Sequence, residues 1–333
     1  MTLSGSEARY RVIPLADGDG GVPEDAVVRD CLRQDPPRLP PWLGYDAVGS
    51  EYFEQITELP TYYLTRVERA LLESHSAEMA EELACGRIAE LGSGSAKKTR
   101  LLLENCLRLG PTTYLPIDVD QAMLRSSGAA LCSELDELRV TGLWGRYEAA
   151  LEWLRTHSAG PLAVLFLGSS FGNTTREERS VLLDGVARSL GPGGSFLVSA
   201  DLDKDREVLE TCYNDPAGYS AFADFRLNYL TQLNRRYGAE FDLDDFVPDA
   251  RYNADTSTVE GRLVARTDLT VPVPGLGITL DIPRGRFLNV GYSVKFDEQQ
   301  LAREAGEHGF RLRTRWLDPE FRYGIFLFRR EEA

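Results

Sequence analysis

The sequence predicts an α/β protein built on a parallel, doubly wound sheet, joined to a second, smaller unit. Three observations carry that expectation. From Arg87 onward, short apolar runs alternate with segments of helical period. One run, PLAVLFLGSS, is almost continuously apolar, as a strand covered on both faces must be. The first run, RIAEL, ends in the glycine-rich turn GSGS before a helix begins.

The elements follow in order. RIAEL is a first strand and KKTRLLLENCL its helix; TTYLPID is a second strand, followed by the helix DQAMLRSSGAALCSEL. LRVTGLW is a third strand before the helix YEAALEWLRTH, and PLAVLFLGSS is the fourth. TREERSVLLDGVARSL is a helix stopped by GPGG, and SFLVSADL is a fifth strand. Right-handed crossovers make such strands parallel. From about Lys204 to Asn289 the pattern changes to one helical segment, FADFRLNYLTQLNRRYG, and extended pieces such as STVEGRLVARTDLTVPV. These are expected to form the second unit together with the N-terminal region. The tail is a helix, DEQQLAREAGEHGF, then two strands, FRLRTRWL and RYGIFLFRR. The predicted core is therefore residues 66–203 and 294–333, and the smaller unit residues 1–65 and 204–293.

Composition narrows the function. With 333 residues, 43% of them hydrophobic, the chain can bury a large core. No apolar run is long enough to span a membrane and the N-terminus lacks a signal-peptide profile, so a cytoplasmic protein is expected. A net charge of −15 argues against nucleic-acid and anionic-membrane partners. The five cysteines and three histidines lie at no metal-ligand spacing, so reduced thiols and no metal are expected. A monomeric enzyme acting on a small molecule fits these features.

The glycine turn suggests the cofactor. A dinucleotide site asks for G-x-G-x-x-G or G-x-G-x-x-A, yet Lys97 stands at the third position and Glu90 precedes the turn. The pattern E-x-G-x-G over Glu90, Gly92, Ser93 and Gly94 suits S-adenosyl-L-methionine better, since that ligand carries a cation and no phosphate. Asp118 ends the second strand about two dozen residues later, where a carboxylate accepts both ribose hydroxyls. The alternative is that Asp118 merely caps the next helix.

Longer stretches resemble one family. LPPWLGYDAVGSEYFEQITELPTYYLTRVE, AELGSGSAKKTRLLL, PIDVD, LFLGSSFGNTT, DLDKD, EFDLDDF and YSVKF are similar to the histidine-specific N-methyltransferases of ergothioneine biosynthesis. The resemblance implies a class I S-adenosylmethionine-dependent fold with a substrate-binding subdomain closing over the cofactor cleft, and a free amino acid as substrate. Such sheets usually finish with a helix and a closing hairpin, as this tail does. The resemblance places Gly92 and Lys98 in the cofactor loop and Asp118 at the ribose. Gly168, Ser169 and Asn173 follow the fourth strand, with Asn173 holding the amino acid's backbone groups. It assigns Tyr213 to the substrate carboxylate and sets Tyr45 and Tyr62 along the pocket, Tyr62 toward the cofactor.

Three departures qualify the match. Where the family has Gly-Asp-Phe after the third strand, this chain has Gly145, Arg146 and Tyr147, so an adenine contact is lost while Tyr147 keeps a ring for the base. Two residues before Ser293 the family's imidazole-gripping glutamate is Gly291, and a methionine in the preceding strand is Gly261. A segment about two residues longer brings in Asp224 and Phe225. Glycines there either ease strand bends or enlarge the pocket. Read as enlargement, they predict a substrate larger than histidine: L-arginine, methylated on its guanidine and held by Asp224. Histidine α-N-methylation, a tryptophan-like substrate and a non-catalytic cofactor-binding subunit are the alternatives. No general base is assigned.

Overall fold

The computed structural model describes residues 9–15, 23–157 and 160–331. They fall into two units. The first is built on Arg66–Leu202 with residues 9–15 and 296–331; the second is built on Asp203–Lys295 with residues 23–65.

The first unit holds one eight-stranded sheet in the order β1-β4-β3-β2-β5-β6-β13-β12. Its strands are β1 (Tyr10–Pro14), β2 (Arg87–Leu91), β3 (Thr113–Asp118), β4 (Arg139–Trp144), β5 (Ala163–Phe166), β6 (Ser195–Asp201), β12 (Phe310–Asp318) and β13 (Tyr323–Arg330). Strands β1 to β6 are parallel, and β13 and β12 close the far edge antiparallel. The helices between are α3 (Tyr63–Leu83, from Arg66 within this unit), α4 (Thr99–Leu109), α5 (Gln121–Glu134), α6 (Tyr147–His157), α7 (Arg176–Ser189) and α10 (Glu298–Gly306). Their starts are chemically marked: Asp120 accepts from Ala122 and Met123 N–H to cap α5, and Thr175 with Glu178 forms a capping box on α7. Strand order reverses between β2 and β5, the switch point at which such sheets bind ligands beyond their carboxyl ends.

The second unit comprises α1 (Glu24–Leu32), α2 (Ala47–Thr57), α8 (Arg206–Cys212), α9 (Ala221–Tyr237), β7 (Phe246–Asn253), β8 (Thr258–Ala265), β9 (Leu269–Val273), β10 (Ile278–Ile282) and β11 (Phe287–Val294). β11, β8 and β7 make an antiparallel sheet, and β9 and β10 a hairpin. One core joins both sequence segments: Leu32, Leu39 and Leu43 are buried with Leu230, Leu233, Leu263 and Leu288. Asp46 caps α2 through Gly49 N–H and also accepts from Asn228 and Gln232 of α9 at 2.9 and 2.7 Å.

Two expectations need correction. Residues 1–65 are not all in the smaller unit, because Tyr10–Pro14 pairs in parallel with β4 and extends the main sheet. The fourth strand stops at Phe166, well short of its apolar run, because Gly168 (φ 81°) and Ser169 (φ 59°) turn the backbone into the left-handed region. Among the described residues, no helix is long and apolar enough to cross a membrane.

Candidate functional site

The residues singled out from the sequence divide between the two units. In the first unit they gather at the carboxyl ends of β2, β3 and β5. Beyond β2 the chain turns at Gly92 (φ 66°) and Gly94 (φ 49°), a conformation that a Cβ would strain. The N–H groups of Gly92 and Ser93 donate to Ile117 O at 2.9 and 3.1 Å, stitching the turn to the end of β3. Asp118 then receives Gly94 N–H on one oxygen and Asp120 N–H on the other, both at 3.0 Å. The cap of α5 is Asp120. Asp118 is thus a fixed acceptor beside the glycine turn; burial pushes its carboxyl up, against the pull of those two N–H bonds. A carboxylate has about four lone-pair positions, so two further donors such as a ribose diol fit it.

Tyr147 lies against the same turn. A Cβ built on Gly92 would sit 2.7 Å from Tyr147 Oη, and the Tyr147 ring meets Phe166 edge-on at 5.5 Å. The neighbouring departure, Arg146, is half-exposed and pairs with Glu148. Ser93 and Ser169 are buried, and each carries a side-chain oxygen with no partner among the described residues. Buried hydroxyls lacking partners are uncommon. With the glycine approach and the Asp118 acceptor, they fit a polar ligand without phosphate, of the S-adenosylmethionine type. Asn173, partly buried, ends the short 3-10 turn Ser170–Asn173 that follows β5.

Glu90, expected at the cofactor, is placed otherwise. It is buried, and its two oxygens accept from Thr99 Oγ1 at 2.7 Å and from Tyr114 Oη, so it holds the turn to the start of α4 from inside the sheet. Burial pushes its carboxyl up to about 7. Lys98 likewise has a partner the sequence did not suggest: its ammonium pairs with Glu68 of α3. Glu68 is fully buried and also accepts from Gly168 N–H at 2.6 Å and Tyr323 Oη at 2.9 Å. Burial pushes the Glu68 carboxyl up, but the Lys98 charge and the hydrogen bonds together hold it below the usual range.

In the second unit, Tyr213, Ser293 and Lys295 meet. Tyr213 Oη and Ser293 Oγ are 3.0 Å apart, and Lys295 Nζ lies 2.8 Å from the first and 3.0 Å from the second. The Tyr213 ring packs on Phe222, and both meet Tyr62 edge-on near 6 Å. Tyr62 therefore packs with Tyr213 within the second unit. Tyr45 stands apart from this cluster. It is 42% exposed and packs edge-on against Phe53 and Phe225 at 5.5 and 5.2 Å, which gives Phe225 a packing role as well.

Gly261 and Gly291 are direct cross-strand partners beside a bulge in β11. They do not open a void. A Cβ on Gly261 would lie 3.1 Å from Gly291 Cα and 3.3 Å from Arg226 Nε; one on Gly291 would lie 3.3 Å from Gly261 Cα. The strands approach closely, as glycine allows. The side chain beside them is a buried cation: Arg226 donates to Tyr213 O and lies over the Phe222 ring, while burial pulls its guanidinium down to about 10. Asp224, expected to grip a substrate guanidine, accepts from Ser220 Oγ at 2.7 Å in the first turn of α9. Glu68, Arg226 and Lys295 escaped the sequence reading.

Comparison with known proteins agrees with this geometry. The profile of the family described as "Histidine-specific methyltransferase, SAM-dependent" matches residues 24–330. A histidine N-alpha-methyltransferase of Mycolicibacterium smegmatis is 38% identical over 305 residues, 90% of this chain and 92% of the relative. One from Mycobacterium tuberculosis is 35% identical over 89% of this chain and 91% of its own. An N-methyltransferase of Aspergillus fumigatus is 28% identical over 88% of this chain and 80% of its own. The reading as a non-catalytic subunit is set aside, since family and relatives are S-adenosylmethionine-dependent enzymes. The chain is an N-methyltransferase with a class I fold, and it belongs to the histidine-specific, S-adenosylmethionine-dependent methyltransferase family.

Proposed function

We propose that this enzyme methylates the α-amino nitrogen of free histidine or a closely similar amino acid, and not the guanidine of arginine. The observation that carries the reading is Arg226. Its Nε stands 3.3 Å from the Cβ position of Gly261, the cross-strand partner of Gly291. A second guanidinium beside a buried one meets like-charge repulsion, whereas a neutral imidazole does not. The names of the two mycobacterial relatives support the same substrate.

When bound, S-adenosylmethionine supplies a methyl group activated on a sulfonium. The chain's own residues align and enclose. Asp118 offers acceptors to the ribose, the backbone at Gly92 and Gly94 admits the methionine half, and Tyr147 offers its ring to the adenine. Asn173, with both a donor and an acceptor, addresses the ammonium and carboxylate of an amino acid, and Tyr213 donates to the carboxylate. Orientation of this kind contributes up to about 7–11 kcal/mol in favourable cases.

A wider aromatic amino acid is the second reading. Gly291 offers no side-chain acceptor to an imidazole N–H, so that part of the site does not demand one. The test is a competition of histidine, tryptophan and arginine for labelled S-adenosylmethionine, with products read by mass. Methylated histidine with arginine inert is expected. Efficient arginine methylation with histidine inert overturns the proposal.

A further inference from the structure

Arg226 of α9 is 5% exposed, although arginine is almost never so buried unless paired. Its guanidinium has five N–H donors and spends one, on Tyr213 O, its only hydrogen bond among the described residues. Four donors therefore lack an acceptor there. The two carboxylates that pull on its charge act from a distance, because both are engaged elsewhere. Asp215 accepts from Phe222 and Ala223 N–H at 2.9 and 2.8 Å, and Asp249 is held by Arg262 at 2.9 and 2.8 Å. The Phe222 ring centre lies 5.0 Å from the cation but offers no lone pair of this kind.

A buried charge without a direct partner is costly, and folded proteins rarely keep one. Here the strands make room for it. Nε stands 3.3 Å from the Cβ position of Gly261, which faces Gly291 across the sheet, so a side chain at 261 would press on the guanidinium. Neither glycine brings a side-chain acceptor. The cation is held with most of its donors idle, one peptide carbonyl away from Tyr213. Whatever completes it must bring the lone pair.

We propose that Arg226 is a specificity-determining residue that reads the substrate side chain as an acceptor. The enzyme takes an amino acid whose ring offers a lone pair to the guanidinium, as the unprotonated nitrogen of neutral imidazole does, and turns away rings that offer only donors or carbon. An indole has one N–H and no lone-pair nitrogen, so it leaves the donors unmet. An imidazolium adds repulsion between like charges. The inference deepens the proposed function and rests on it, since it needs an amino acid bound with its side chain at the glycine pair.

The test compares rings of one shape. Thiazolylalanine and thienylalanine differ by a lone-pair nitrogen in place of a CH, and neither ring is charged at neutral pH. The nitrogen is tried at both positions it holds in imidazole. KM is read where a compound turns over, and the competitive KI against histidine where it does not. Wild type should favour the better thiazolyl isomer over its thienyl match by about 10-fold or more, the scale of one hydrogen bond from a charged donor. Arg226→Met should bring that ratio to within about threefold of one, by weakening the thiazolyl compound. Arg226→Gln, which keeps N–H donors and loses the charge, should fall between. S-adenosylmethionine affinity, read by calorimetry, should hold in both variants.

A folded Arg226→Met that keeps the wild-type ratio overturns the inference. So does a variant that weakens both compounds equally, which would assign the guanidinium to a part of the substrate common to them. If Arg226→Met does not fold, a wild-type ratio in Arg226→Gln overturns it. Wild type that uses histidine but treats the paired rings alike, or binds neither, defeats this inference alone. Wild type that uses neither histidine nor any other amino acid defeats the reading beneath it as well.

Discussion

Glu68, fully buried on α3, pairs with Lys98 at the start of α4 and at the same time holds Gly168 N–H at 2.6 Å. One carboxylate thus ties both loops that carry candidate cofactor-site residues, the glycine turn after β2 and the bend after β5. Tyr323 of β13 donates to it as well, at 2.9 Å.

Removing that carboxylate should loosen both loops together. Glu68→Ala is expected to lower stability by about 2–4 kcal/mol, because it leaves buried donors unmet and the Lys98 charge uncompensated. Glu68→Gln, which retains an acceptor, should lose less. Urea midpoints of the two variants check the order; equal losses would mean that the charge and not the hydrogen bonds dominates.

Glu90 gives a pH dependence of definite sign. Its folded carboxyl is pushed up to about 7 by burial, above its value in an unfolded chain. Below an ordinary glutamate pKa both states hold the proton. As pH rises from there toward 7 only the unfolded chain releases it, so the contribution of Glu90 to stability falls, by about 3 kcal/mol for a shift of this size. Glu90→Gln does not ionise and should escape the loss. Its stability relative to wild type should therefore rise between pH 4.5 and 7 and level off above; a difference constant with pH would contradict the argument.

At Asp118 the expected effect is on ligand affinity. Asp118→Ala should weaken S-adenosylmethionine binding by about 2–4 kcal/mol in calorimetry, through loss of charge-assisted bonds and of the brace on Gly94. Unchanged affinity in a folded variant would remove Asp118 from the site.

For the glycine pair, Gly261→Met with Gly291→Glu should cost about 1–3 kcal/mol of stability, because a Cβ on Gly261 already crowds Gly291 and Arg226. Thermal unfolding measures it. A variant as stable as wild type would show that the strands part easily and that the pocket was open after all.

The main sheet was legible because its units repeat: each buried parallel strand is an apolar run and each crossover a helical period. β1 was not, since YRVIP is short, only partly buried and separated by more than a hundred residues from β4, its partner. The site was legible where chemistry sits close in sequence. Gly92, Gly94 and Asp118 follow from a turn and a strand end. Glu68 and Lys295 are charged residues in ordinary-looking segments, and their meaning comes from partners 30 and 82 residues away. Arg226 reads locally as one more polar helix residue. Glycines 261 and 291 were read as missing bulk because a sequence records the absent side chain and not the backbone that has moved in beside it.

The position of β6 in the sheet bears on how the chain must be made. All seven of its residues are buried, and one of its edges is covered only by β13, more than a hundred residues later. On the ribosome, at about 5–20 residues per second, that interval lasts on the order of 6–25 seconds. Throughout it, SFLVSAD presents an unpaired apolar edge, the kind on which nascent chains join one another. A transcript cut before Tyr323 would therefore yield inclusion bodies and not a shortened enzyme, and slow translation through the C-terminal third would raise the demand for chaperones.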